Sequence, residues 1–284
     1  MIILLGIVSV STTVLYNCIS NMMCKKVLTS NNLIYKFNSI VYAVCSFLFC
    51  FLLLNEKMSF YTFLMGVTFG VVTTLGGLYK MHALSEGPMH MTLLITTSSM
   101  IIPTMSGLFW GEKFSILKFL ITFILIGFIY LSIGRGAETK INLSWAFYCL
   151  LAFIFQGSIG VLQKIHQSSV HRSEISGFLF VSFICSAVFC RLRIKGKVNG
   201  KEGTGKKYIL LAVVCGLCTF SMNYINLKLS GILPSQLFFP LINGSSIIFS
   251  SLFAVFLFKE RLNRRQLLGL AGGIGSLILM CIVP

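Results

Sequence analysis

Charge is scarce in this sequence. Only 11% of its 284 residues are charged, against about 25% in a soluble domain, and that excludes a soluble fold. Acid is scarcer still. There is no Asp, and all seven acidic residues are Glu. Glu56, Glu86, Glu112, Glu138, Glu174, Glu202 and Glu260 each fall at the end of a hydrophobic run or between runs. A proton-coupled drug antiporter would carry a carboxylate within a span, and this chain offers none there. Catalytic signatures are missing as well: no nucleophile–base spacing, no cluster of metal ligands, no phosphate-binding glycine loop. The Gly- and Lys-rich stretch 196–207 lacks the GxxxxGK[ST] spacing, and Cys215-x-x-Cys218 has no second ligand pair nearby. The sequence therefore predicts no enzyme, no cofactor and no metal. Its ten cysteines sit almost wholly inside apolar runs, where Cys behaves as a small hydrophobe and needs no disulfide.

What is present is hydrocarbon. Hydrophobic residues make up 56% of the chain and the mean hydropathy is +0.90. Apolar runs bounded by charges, Gly and Pro predict ten membrane helices, at about 2–24, 38–55, 60–84, 89–111, 115–134, 143–165, 175–192, 208–230, 235–258 and 266–283. Ten crossings of ~20 residues leave only short loops. The first run has no basic residue before it and is long enough to cross, so it reads as a retained helix rather than a cleaved leader. The net charge of +16 lies between the runs and reads as topology and lipid contact, not nucleic-acid binding.

The halves resemble each other. Cys45-Ser46-Phe47-Leu48-Phe49-Cys50 matches Cys185-Ser186-Ala187-Val188-Phe189-Cys190, Lys25 matches Lys164, and Asn17 matches Gln156. Beyond the polar loop at 191–207 the register moves once. Lys80 then matches Lys228, Ser98 Ser246, Glu112 Glu260, and Gly127 Gly275. A single insertion explains both registers. The expected fold is an all-α polytopic membrane protein of ten transmembrane helices, arranged as two five-helix repeats, 1–137 and 138–284. Five is odd, so the second repeat enters the bilayer from the opposite side. That inverted arrangement places a transporter's site near the midplane.

Three motifs then resemble the ten-helix EamA-like branch of the drug/metabolite transporter superfamily. They are Gln156-Gly157 with Lys164; Phe258-Lys259-Glu260-Arg261-Leu262 followed by Gln266-Leu267-Leu268-Gly269; and Trp110-Gly111-Glu112-Lys113-Phe114. Asn17-Cys18 and Gln156 depart from the family's Trp-Gly pattern, and Ser99 and Ile247 stand where it has Pro. The resemblance implies alternating-access transport, with a cavity lined by the first, third, fourth, sixth, eighth and ninth helices.

Candidate substrate contacts are Asn17, Lys80, Gln156, Asn223, Lys228 and Asn243, all polar groups on those helices. Lys80 and Lys228 read either as cations for a carboxylate or phosphate, or as stems snorkelling to the headgroups. Lys164 has the same two readings. Glu112 and Glu260 read as a turn-spanning ion pair or as solvated charges. Gly66-xxx-Gly70 in the third run predicts close helix packing. The sequence predicts a secondary transporter or exporter of a small, amino-acid-like or anionic metabolite in the cell membrane, as a monomer or homodimer. Its partners are that solute and the lipid bilayer. A multidrug exporter or lipid-carrier flippase is one alternative, a non-transporting scaffold another. Most Lys and Arg lie in the alternate loops on the opposite side of the membrane from the termini, which places those loops in the cytoplasm and both ends outside by the positive-inside rule.

Overall fold

A computed structural model of the chain describes residues 1–28, 30–54, 56–86, 89–132, 142–194, 205–258 and 263–283. Among these residues all regular structure is helical. The helices are α1 (Ile2–Lys26), α2 (Asn31–Leu53), α3 (Phe60–Glu86), α4 (Met89–Ser98), α5 (Ile101–Ser106), α6 (Ile116–Ser132), α7 (Leu143–Ser168), α8 (Ile175–Leu192), α9 (Lys206–Ile232), α10 (Ser235–Phe258) and α11 (Arg264–Ile282), with a 3-10 turn at Gly107–Trp110. Eight of these described helices, all but α4, α5 and α6, are long and apolar enough to cross a bilayer. The chain is all-α and polytopic.

The fourth hydrophobic run, expected unbroken over 89–111, is divided into α4, α5 and the 3-10 turn. Pro103 has no N–H, and its ring crowds the carbonyl of Ser99 four residues back. The backbone tightens there: Met100 N donates to Thr97 O at 3.1 Å and Ile102 N to Ser99 O at 3.0 Å. The Ser99 hydroxyl takes up Thr96 O at 2.6 Å. Pro240 lies in the second turn of α10, and that helix continues past it. Two helix starts also lie earlier than expected. The second helix begins at Asn31, behind the N-cap Ser30, which accepts from Leu33 N. The last begins at Arg264, because Asn263 and Gln266 form a reciprocal capping box.

Contacts divide the chain into two compact units: unit 1, Met1–Thr74 with Ser169–Lys228, and unit 2, Leu75–Ser168 with Leu229–Pro284. In unit 1, α2 packs along α8. Phe49 lies parallel to Phe183, with centroids 6.1 Å apart. α3 approaches α8 through the predicted glycine pair. A Cβ at Gly66 would lie 2.9 Å from the Phe178 carbonyl oxygen, and one at Gly70 would overlap the Ser182 carbonyl. α1 and α9 run antiparallel, with Ser9 donating to Asn226 Oδ1 and Thr13 to the Met222 sulfur. In unit 2, α6 and α11 form the most extensive contact. Its core holds Met100, Leu125, Ile129, Ile248, Leu270 and Leu277. A second small cluster joins Ala83, Trp145 and Cys149, with Trp145 Nε1 donating to Thr92 Oγ1 at 2.9 Å.

Carboxylates and amides lock hairpin ends together inside each unit. In unit 1, Glu56 accepts from Ser176 N at 2.8 Å and Ser176 Oγ at 2.7 Å, at the start of α8. Reciprocally, Glu174 accepts from Ser59 N at 2.8 Å and Ser59 Oγ at 2.7 Å, at the start of α3. In unit 2, Glu112 accepts from Ser235 N at 2.7 Å at the start of α10. Gln236 Oε1 accepts from Ser115 N at 2.8 Å at the start of α6. Negative oxygen at a helix N-terminus is favourable because it meets unbonded N–H groups and the positive dipole end. These contacts also fix parity. The α2–α3 and α7–α8 junctions meet, so an even number of crossings must separate them. Counting α4 with α5 as one span, four intervene.

His171 Nδ1 lies 2.9 Å from Glu174 Oε1, an acid–histidine pair that no local motif announced. Burial pushes the Glu174 carboxyl up, but hydrogen bonds from Thr62, Ser59 and His171 outweigh it and hold the group down at about 2. A folded-state value below the ordinary 4.5 means this stabilisation is complete above that value and is lost as pH falls toward 2. Glu174→Gln is expected to cost about 1–2 kcal/mol at neutral pH, the range for a lost N-cap. Its melting temperature should also fall less steeply than that of the unsubstituted protein as pH is lowered through this window. Thermal melts in detergent at stepped pH read both effects, and parallel pH profiles would refute the cap.

Candidate functional site

The six candidate residues divide between the units. In unit 1, Asn17 is half-buried on α1 and Asn223 half-buried on α9. The Asn223 amide donates to Thr219 O of its own helix at 2.9 Å, a local bond that satisfies the group inside a span. Lys228 is exposed near the C-terminal end of α9. Its ammonium stands 4.7 Å above the Tyr224 ring, one helical turn back, which holds the charge over a π face.

In unit 2, Lys80 and Gln156 belong to the α3–α7 contact. Gly76 makes that contact possible, since a Cβ there would lie 3.3 Å from Phe155 Cβ and 3.4 Å from Gln156 Nε2. Lys80 lies one turn farther along α3 and is half-buried. Beside it the two helices interleave four half-buried rings. His82 stacks on Tyr148 at 5.3 Å, Tyr148 on Tyr79 at 6.3 Å and Tyr79 on Phe155 at 5.6 Å, with interplanar angles of 20–26°. Asn243 is exposed on α10, while its neighbours Gly244, Ser245 and Ser246 are buried. It faces away from the interior of its unit.

The strongest electrostatic feature of unit 2 lies elsewhere. Lys164, on α7, is buried and 2.5 Å from Glu112 Oε1. The same ammonium donates to the carbonyls of Ser230 at 2.9 Å and Leu233 at 3.3 Å, at the C-terminal end of α9. A cation belongs there, because the last carbonyls of a helix lack partners and carry its negative end. Lys164 therefore does not snorkel, and Glu112 is neither solvated nor paired across its own turn. Its other oxygen caps α10. Gly111 sets this up: its φ of +69° ends the 3-10 turn in the left-handed region, and there Gly avoids the Cβ penalty. Gly107 leaves room for the carboxylate, since a Cβ would overlap Glu112 Oε2. Gln163, His166 and Gln167 are buried along the same last turns of α7. The sequence carries no local sign of this cluster. Glu260 and the Lys25 side chain, the matched positions, lie outside the described residues.

Compared with protein families, residues 143–282 match the EamA-like transporter family. Through these residues the chain belongs to the EamA-like transporter family. That family is part of the drug/metabolite transporter superfamily, so this is an integral, multi-pass membrane transporter of that type. Solved structures agree in fold. Twenty-nine chains match. One of them, a crystal structure of a protein 12% identical to this one, has a TM-score of 0.73 and is covered over 99% of each chain. At that identity the likeness is one of fold alone. No curated protein sequence matches this chain.

Proposed function

We propose that this EamA-like protein is a secondary transporter of a small anionic or amino-acid-like metabolite, working by alternating access of two inverted five-helix repeats, 1–137 and 138–284. The matched registers in the sequence support the repeats, as do the equal 27-residue lengths of α3 and α9. The family match also falls within the second half.

One observation carries the substrate class. Of the described carboxylates, Glu56, Glu112 and Glu174 are committed to helix ends and Glu86 is exposed as the last residue of α3, so none lies within a span. Lys80, Lys164 and Lys228 stand a turn or two inside the C-terminal ends of their helices. Glu112 neutralises Lys164, whereas the exposed Lys228 holds its ammonium over the Tyr224 ring, where a solute can meet it, and Lys80 is its counterpart in the matched register. A lipophilic cation would find no counter-charge there, whereas a carboxylate or phosphate would.

The first test is a thermal-stability panel of amino acids, organic acids, nucleotides and lipophilic cations. A true ligand at ~100 times its dissociation constant adds about 2.7 kcal/mol. The ligand so found is then loaded into liposomes. Lys80→Ala and Lys228→Ala are each expected to reduce flux about tenfold or more, as for loss of a charge-assisted contact. Unchanged flux and affinity in both variants would refute the anion site and leave the lysines as headgroup anchors.

A further inference from the structure

A cavity of 240 Å³ opens between the C-terminal end of α1 and the N-terminal end of α9 in unit 1. Its walls are Met22, Met23, Val27, Tyr208 and Leu211, and Lys207 stands at its edge. We propose that this cavity binds one anionic phospholipid, with an acyl chain among the apolar walls and the headgroup phosphate on Lys207.

Position, shape and charge support this occupant. The cavity lies where two membrane helices end, α1 on Lys25-Lys26 and α9 on Lys206-Lys207, which is the level of a lipid headgroup. Its lining is apolar except for the exposed Lys207. Tyr208 adds only its ring, because its hydroxyl donates to Leu33 O at 3.2 Å. Methionine side chains are unbranched and flexible, and they adapt to a chain of variable conformation. The volume falls below the roughly 300 Å³ at which drug-sized sites begin. It suits a stretch of hydrocarbon chain better than a whole solute. Neither α1 nor α9 contains an acidic residue, so no carboxylate from these helices competes with a phosphate for Lys207. Basic pockets at helix ends are a recurrent mode of anionic-lipid recognition.

The experiment is native mass spectrometry of the delipidated full-length protein with equimolar phosphatidylglycerol and phosphatidylcholine of identical chains. The unsubstituted protein is expected to retain one phosphatidylglycerol several-fold in preference to phosphatidylcholine. Lys207→Ala should abolish the preference, and Leu211→Trp, which fills the cavity, should abolish retention itself. Should Leu211→Trp not fold, Met22→Trp tests the same wall. Glycerol 3-phosphate and inorganic phosphate should not compete at the same concentration. Equal retention of the two lipids, a preference that survives Lys207→Ala, retention that survives a folded Trp variant, or competition by glycerol 3-phosphate would each overturn the proposal. Flux measurements play no part in this readout, so it stands apart from the transport reading.

Discussion

Lys164→Met is expected to destabilise the protein by about 3–5 kcal/mol, the cost of stranding one partner of a buried ion pair. Met keeps the length and volume of the stem but leaves the Glu112 carboxylate facing an apolar group. It also leaves the Ser230 and Leu233 carbonyls without their donor. The Glu112→Gln variant should lose less, because an amide oxygen can still accept from Ser235 N. The informative variant is the double one. If an unpaired buried charge dominates the damage, Lys164→Met with Glu112→Gln will be more stable than Lys164→Met alone. A coupling of that sign is measurable in a four-member cycle of apparent melting temperatures. Additive losses would show that Lys164 acts through the carbonyls of α9 and not through Glu112.

A second large effect belongs to the glycines where helices touch backbone to backbone. Gly269→Val should prevent α11 from seating on α6. A Cβ at this position would overlap Ser132 N and crowd the carbonyl oxygen of Phe128 at 2.7 Å, and backbone atoms cannot turn aside as a side chain can. Gly70→Val should do the same between α3 and α8, where the obstacle is the Ser182 carbonyl. Overpacking of ordinary cores costs about 1–3 kcal/mol. Against backbone the loss should lie at or above that upper end, and folded yield after solubilisation should collapse. Gly127 and Gly275 are the contrast. A Cβ at either meets nothing within 4 Å, so Ala there should be neutral or stabilising by up to about 1 kcal/mol through helix propensity. Folded yield and melting temperature of the four single variants read the difference directly. A tolerated Gly269→Val would mean that the α6–α11 contact is looser than described.

The glycines also show how far the sequence could be read. Gly66-xxx-Gly70 announced a close approach, and the approach is there, because small residues at that spacing on a membrane helix have few other uses. Gly127 and Gly275 looked equivalent as a matched pair but face open space, and nothing in a lone glycine distinguishes the two cases. The long hydrophobic runs gave the helices, while several ends shifted because caps such as Ser30 and Asn263 outweigh mean hydropathy at the boundary. A proline inside a run permits a kink, but Pro103 and Pro240 carry the same local signal, and only the run around Pro103 is broken.

The charged residues were the least legible. Lys164 and Glu112 are far apart in sequence, and the lysine's other partners, Ser230 and Leu233, are farther still, so no window of sequence contains the cluster. Read singly, a Lys near a helix end snorkels and a Glu in a turn is solvated; only the tertiary contact makes them a pair. His171 and Glu174 were close enough in sequence to notice, but the bonds from Ser59 and Thr62 that hold the carboxylate arrive from another hairpin. Of the six candidate contacts, Asn17, Lys80, Gln156 and Asn223 are half-buried, whereas Lys228 and Asn243 are exposed. Polarity on a helix face was readable, but the direction of that face was not.

The broken fourth segment bears on how the protein is made. α4 and α5 contain 10 and 6 residues, each far short of the ~20 that let a helix partition into lipid unaided. α5 packs on α7 and α10, and α10 is synthesised more than a hundred residues later. During biogenesis the packing around this break is completed only when the C-terminal half has emerged, so a chain truncated before α10 would carry the segment with α7 but without its second partner.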